Sequence, residues 1–438
     1  MRLTTAAAMT LALTAGAANA APAPPQTDAQ IAARVAKVLK ATPLIDGHND
    51  FPEQVRGRWG GKIGGFDMKS DLSHTAPDAD GTGVMTDIPR LHAGMVGGQF
   101  WSVFIPVSVT GPAAVQMTIE QIDIVKGLAA RYPADLGMAY TADDVVRLHK
   151  EGRVASLIGV EGGHQIDDSL PVLRAYYALG ARYMTLSHAT ANNFADSATD
   201  NPKHHGLTAF GKAVVGEMNR LGMVVDLSHV SPDVMRQALA ISQAPVMFSH
   251  SGARAVDDHP RNVPDDILLM VAKNHGVVMA NFATNYVSHD KAAWLAERSA
   301  EQARENSPPF GGLYIGQPEK AAAAMAAWVK AHPAPAVTIP MVADHIEHIA
   351  KVCGFDCVGL GSDFDGIPDT PTGLDGVDKY PALLAELARR GWSDENLARL
   401  AGGNILRVLR EAEAVAKRLQ ATAPIPEATL AELDGPAK

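Results

Sequence analysis

Residues 209–229, AFGKAVVGEMNRLGMVVDLSH, join a helical pattern to an apolar run that stops on a histidine, and this stretch decides the architecture. In 209–221 apolar residues recur at three- and four-residue spacing, as on a helix that packs against a sheet. In 223–229 they run almost unbroken, as in a strand covered on both faces, and end at His229. The next apolar run, residues 245–250 (PVMFSH), ends in the same way at His250.

Working outward, further runs rich in Val, Ile, Leu and Phe occupy residues 43–48, 99–107, 155–161, 182–188, 276–282 and 358–363, with helical patterns such as 340–352 between them, making eight in all. Eight strands alternating with helices predict a (β/α)8 TIM barrel. Six of the eight runs end on His, Asp or Glu, namely His48, Glu161, His188, His229, His250 and Asp363, and their beginnings carry no such residue. The C-terminal strand ends of a barrel converge on one rim, where its site is built. An open doubly wound sheet would bring fewer strands to one point.

The chemistry expected on that rim is metal-assisted. His48 and Asp50, in LIDGHND (44–50), are two apart and face the same way in an extended chain, so both can grip one cation. Alone, H-x-D is a weak signal. Glu161, His229 and His250 supply partners from other strand ends, and three histidines with two carboxylates exceed a structural tetrahedral site but suit two metals sharing a carboxylate. Glu161 is the expected bridge, since His48 with Asp50, and His229 with His250, already form two sets. Two cations about 3.5–4 Å apart acidify a water held between them, which predicts hydrolysis.

His188 reads either as a donor to an oxyanion or as a histidine packed on the barrel wall. Asp363, in GSDFDG (361–366), reads as a general acid/base or an amine anchor. Arg261, in PRNVP (260–264), suits bidentate capture of a carboxylate, although an arginine in a loop is ordinarily a solvated surface group. His164, His204 and His205 read as ordinary loop residues, and Gly60-Gly61 and Gly64-Gly65 as loop punctuation rather than a phosphate cradle.

The ordered motifs IDGHNDFP, VEGG, LSHATANNFADS, GLTAFGKAVVGEMNRLGMVVDLSHVS, FSHSGAR, RNVPDD, GLGSDFDG and LAGGNILRV, from about Thr42 to Leu409, resemble the membrane (renal) dipeptidases, zinc peptidases built on an amidohydrolase-like barrel. The resemblance implies two zinc ions per chain, one on His48, Asp50 and Glu161, the other on Glu161, His229 and His250. It further implies that His188 polarises the scissile carbonyl, Arg261 holds the substrate's C-terminal carboxylate, and Asp363 moves a proton from water to the leaving amine. The implied substrates are dipeptides with free termini, including those with a C-terminal D-residue such as L-Ala-D-Ala, and the implied assembly is a homodimer. Thr190 stands where a family cysteine would follow LSH-A, and no hydrophobic tail resembles the lipid-anchor signal of mammalian members. Two other readings use the same residues: a different amidohydrolase reaction, cyclic-amide hydrolysis or deamination, and a non-catalytic zinc- or peptide-binding protein.

Residues 1–20 begin with Arg2, continue through a small and apolar stretch, and end in Ala18-Asn19-Ala20, which predicts an export signal cleaved after Ala20 and a periplasmic or secreted product. The formal net charge is −10, and loss of Arg2 makes it −11, which disfavours nucleic-acid partners. No stretch beyond residue 30 is long and apolar enough to span a bilayer. Residues 21–41 read as a lead-in, 42–421 as one domain with an insertion at 288–337, and 422–438 as a mobile tail. Cys353 and Cys357 either close a small loop as a disulfide or are two simple buried residues.

Overall fold

The structure is a computed structural model that describes residues 26–77 and 83–435. The predicted export segment, residues 1–20, lies outside the described residues. Among the described residues nine strands run β1 Leu44–Asn49, β2 Val96–Phe104, β3 Leu136–Met138, β4 Val154–Glu161, β5 Ala181–Thr185, β6 Val224–Asp226, β7 Met247–Phe248, β8 Val277–Ala280 and β9 Val358–Leu360. Eight of them close into a parallel ring in the order β2-β1-β9-β8-β7-β6-β5-β4, sealed by β2 on β4 from Gly98 opposite Ala155 to Phe104 opposite Glu161. The expected (β/α)8 barrel is the observed fold.

The extra strand, β3, stands outside the ring. It pairs with β4 over Val154 to Ser156, and β5 takes over the same edge from Ile158 onward. Three residues, one of them Gly137, carry too short an apolar pattern to announce a strand.

Both faces of the ring strands are buried, as helices outside and side chains inside require. Phe100 and Tyr183 fill the lumen with ring centroids 5.1 Å apart. Position 159 is glycine because any Cβ there would overlap the Tyr183 ring, which crosses the barrel toward β1.

The domain is wider than 42–421. The helix Asp28–Ala41, capped by Thr27, buries Ile31, Val35, Val38 and Leu39 in the core, so most of the expected lead-in is structural. Beyond Thr422 the tail also docks rather than hanging free. Leu430 is buried, and the Asp434 carboxylate accepts the backbone N–H groups of Ala209 and Phe210, each at 2.9 Å, at the start of the helix Ala209–Leu221. An acid at a helix N-terminus satisfies free N–H groups and complements the dipole, which is why a Pro/Ala-rich stretch settles there.

Residues 288–337 fold as two largely exposed helices, His289–Glu305 and Pro318–Ala331. Lys291 ties the first of them to Asp369 in the segment after β9, at 2.6 Å. Near the C-terminal end of the domain, helices Asp394–Ala398 and Asn404–Thr422 are joined by a π-helical segment Arg399–Gly403. Gly402 presses this segment against the carbonyl of Pro43 just before β1, an approach that leaves no room for a Cβ. Cys353 and Cys357 are joined as a disulfide, with Cα atoms 5.7 Å apart. Among the described residues, no helix is long and apolar enough to cross a membrane.

Candidate metal centre

The strands stop earlier than their apolar runs, so the site residues sit on the exits from the barrel. His48 lies within β1 and Asp50 just past it, Glu161 closes β4, and His250 follows β7 by two residues. His188, His229 and Asp363 each lie three residues past a strand end. His229 and Asp363 adopt left-handed backbone, φ 68° and 66°, which swings their side chains off the strand direction toward the axis. The main chain of this rim is cross-tied: Asp363 N–H donates to His48 O at 3.2 Å, and Asp50 N–H to Phe364 O at 2.9 Å.

All five expected ligands are buried and converge. Glu161 Oε1 lies 3.0 Å from His229 Nε2, 3.4 Å from His250 Nε2 and 3.5 Å from both His48 Nε2 and His188 Nε2. Asp50 Oδ2 lies 3.3 Å from His48 Nε2, and the Nε2 atoms of His229 and His250 are 2.9 Å apart. Two triads of donor atoms result, His48–Asp50–Glu161 and Glu161–His229–His250, each compact enough to hold an ion and sharing Glu161. Asp363 also comes close enough to complete a third grouping with His48 and His250.

The donor set fits metal. Burial pushes the pKa of His229 and of His250 well down, with Arg261 adding to the effect at both, so both present neutral lone pairs. His48 moves the other way: burial opposes its charge, but Tyr183, Glu161 and Asp50 together raise it well above the ordinary imidazole value. The carboxylate pocket therefore calls for positive charge. His48 Nε2 and Asp50 Oδ1 are buried without a hydrogen-bond partner, as ligand atoms are when only an ion would satisfy them.

Around this centre opens a cavity of about 660 Å³, lined among others by His188, Arg261, Tyr286, Leu295 and Asp363. Leu295 brings the 288–337 insertion to its wall. Arg261 is only 2% exposed and keeps Nε and Nη1 without a hydrogen-bond partner. Its Nη2 reaches His250 O at 3.4 Å, and the guanidinium lies 5.3 Å from the centroid of the Tyr286 ring. The surface-arginine alternative is thereby removed. His188 stacks on His229 at 4.1 Å and keeps part of its ring open to the cavity. Asp363 accepts Asn281 Nδ2 at 3.1 Å, and burial pushes it up to about 8, reinforced by Asp50 and Glu161 against His48 and Arg261.

His164 sits in a short 3-10 turn, His204 caps the Asn192 carbonyl and His205 is a loop residue; none joins the donor cluster. Sequence reasoning missed the groups behind the donors. Tyr183 OH lies 2.9 Å from His48 Nδ1. Asp46 ties β1 to β2 and β9 by accepting Gln99 Nε2, Ser362 N–H and Ser362 Oγ. The available signal was polar side chains inside predicted strands, which a fully buried strand admits only when they are paired.

A parallel barrel with clustered histidine and carboxylate donors at one rim defines a metal-dependent hydrolase. The chain belongs to the membrane dipeptidase family, peptidase family M19, whose model matches residues 32–423, and it is a metallodipeptidase. Solved structures with the same fold include the probable dipeptidase PvdM of Pseudomonas aeruginosa, 24% identical with a TM-score of 0.73, covering 89% of this chain and 100% of that one. Another is a metallopeptidase of Rhodobacter sphaeroides bound to a phosphinate mimic of the dipeptide L-Ala-D-Ala, 23% identical with a TM-score of 0.66, covering 85% and 99%. An amidohydrolase of Pseudomonas aeruginosa, 19% identical with a TM-score of 0.62, covers 86% and 98%.

Proposed function

We propose that the chain holds two zinc ions, one on His48, Asp50 and Glu161 and one on Glu161, His229 and His250, and cleaves dipeptides with free termini, including those ending in a D-residue such as L-Ala-D-Ala. The observation that carries the substrate class is Arg261: a buried guanidinium with two unpartnered nitrogens beside the donor cluster is costly unless a carboxylate arrives to pair with it. The dipeptide mimic bound to the Rhodobacter sphaeroides enzyme supports the same reading.

When bound, the ions supply Lewis-acid charge that acidifies water and polarises an amide carbonyl. The chain's own groups do the rest. Arg261 takes the substrate's terminal carboxylate and so sets where the peptide bond lies. His188 donates from Nε2 to the oxyanion as the carbonyl becomes tetrahedral. Asp363 accepts a proton from the attacking water and passes it to the leaving amine. Tyr286 and Leu295 line the cavity in which the substrate would lie.

The test compares L-Ala-D-Ala with its C-terminal amide and with its N-acetyl derivative. Cleavage of the free dipeptide with loss of turnover on amidation supports the reading, whereas equal rates on free and amidated substrates contradict it. Arg261→Met separates this from the other amidohydrolase reactions, because opening of a cyclic amide or deamination would survive it. Export with cleavage after Ala20 belongs to the same proposal and is read by N-terminal sequencing of the mature protein. A homodimer, proposed from the family resemblance, is read by sedimentation equilibrium.

A further inference from the structure

Asp226 ends β6 and Ser249 follows β7, and neither takes part in the hydrolysis described above. We propose that Asp226 and Ser249 are positioning residues that lock His250 in the tautomer with hydrogen on Nδ1, leaving the Nε2 lone pair for a cation. Ser249 Oγ lies 2.8 Å from His250 Nδ1 and 2.6 Å from Asp226 Oδ2.

The assignment follows from counting protons. Asp226 Oδ1 accepts the backbone N–H groups of Ser228 and Ser249 at 3.0 and 2.9 Å, and Oδ2 accepts the hydroxyls of Thr185 and Ser249 at 2.8 and 2.6 Å. Every neighbour is a donor, so this carboxylate only accepts. The single hydroxyl proton of Ser249 is thereby committed to Asp226, its other oxygen neighbour, Ser228 Oγ, lying farther off at 3.4 Å. Toward the imidazole, Ser249 Oγ can then only accept, which requires N–H at Nδ1. Nε2 is left bare, facing Glu161 Oε1 at 3.4 Å and His229 Nε2 at 2.9 Å. Asp226, Ser249 and His250 are at most 1% exposed, so no bulk water substitutes for these bonds.

The other nitrogen ligands differ. His48 leans on Tyr183, whose hydroxyl donates to Gly47 O at 3.2 Å and so accepts from Nδ1. His229 Nδ1 is buried and has no partner among the described residues. In the set Glu161–His229–His250, Ser102 Oγ donates to Glu161 Oε2 at 3.3 Å, and of the two histidines it is His250 that has an Nδ1 partner among the described residues, namely Ser249 of the relay. Asp226→Asn should invert it: an amide NH2 facing Ser249 Oγ turns the hydroxyl toward Nδ1 and moves the ring hydrogen to Nε2.

The inference uses the two-zinc reading only for its consequence, so its test has two parts. Two-bond proton–nitrogen NMR correlations of ring-labelled histidines in the metal-free full chain report the tautomer directly, with His250→Gln assigning the signal. Nδ1–H is expected in the wild type, Nε2–H in Asp226→Asn, and a mixture in Ser249→Ala, which removes one atom and leaves the fold. Nε2–H in the wild type, or an unchanged signal in both variants, overturns the proposal. Zinc titration against a chromophoric chelator then reads the consequence. Ser249→Ala should weaken one of two bound ions by about 10- to 100-fold. Thr185→Val, which removes another hydrogen bond to the same Asp226 oxygen, should lower the melting temperature similarly yet bind both ions within about threefold, by that same comparison. Equal loss of affinity in Thr185→Val would reduce the relay to a stability role and overturn the proposal. A wild type with the expected tautomer but without two zinc ions would count against the proposed function and leave the relay standing.

Discussion

Arg261 and Asp363 show how single residues carry the account. Arg261 is a buried cation whose Nε and Nη1 have no partner while Nη2 reaches the His250 carbonyl, so its desolvation is offset in full only when a carboxylate binds. Arg261→Met is therefore expected to raise the melting temperature or leave it unchanged, while kcat/KM for a dipeptide falls by roughly 30- to 1,000-fold, the equivalent of about 2–4 kcal/mol for one side of a desolvated charge pair. Parallel calorimetry and kinetics check it; a variant that loses stability and activity together would make Arg261 structural. Asp363→Asn should lower kcat by about 100- to 10,000-fold with metal content unchanged, measured by turnover and elemental analysis of one sample. Much of the site was legible in the sequence because its residues end apolar runs. Arg261 was legible through the resemblance rather than through its own surroundings, since a loop arginine looks the same whether buried or solvated, and Tyr183, Asp226 and Ser249 were hidden inside runs whose apolar neighbours dominate the pattern.

At the scale of elements, the long runs 43–48, 155–161 and 358–363 were readable as strands because burial on both faces leaves little room for polar residues. Strand ends were less readable: β6 and β7 stop at Asp226 and Phe248, before the apolar run does, because their last residues turn inward to form the site. The helix Ile339–Cys353 illustrates what such patterns omit. Its His345 accepts Ala253 N–H on Nδ1 at 3.0 Å and lies 3.2 Å from Val287 O through Nε2, bracing the segments on either side of Arg261. Burial pushes His345 down to about 4, against an ordinary imidazole value near 6.5. The fold thus favours the neutral ring, while the unfolded chain takes up a proton near 6.5. Stability from this residue is complete above that value, falls as pH drops toward 4 by up to about 1.4 kcal/mol per unit, and levels off below. His345→Gln should flatten the acid limb of stability over that window in urea unfolding at stepped pH. An unchanged slope would assign the acid sensitivity elsewhere.

Across the whole molecule, closure of the ring gathers residues at or just past the ends of β1, β4, β6, β7 and β9 into one cluster, although His48 and Asp363 are more than three hundred positions apart. That closure was predictable from the number of strands, whereas the docking of the segment around Leu430 and Asp434 was not, because Pro/Ala-rich sequence carries little hydrophobic signal. Asp434→Ala removes the carboxylate that accepts Ala209 and Phe210 N–H, and should cost about 1 kcal/mol of stability without altering kcat, as loss of a helix cap does. A neutral result in chemical denaturation would show that the tail contributes no stability.

The central claim is that a rim of histidines and carboxylates becomes a dipeptidase when it holds two ions. Titrating zinc into the metal-free chain while following alanine release from L-Ala-D-Ala tests it in one experiment. Activity is expected to rise with bound zinc and to saturate at two ions per chain. Saturation at one ion, or full metal loading with no release of alanine, would contradict it.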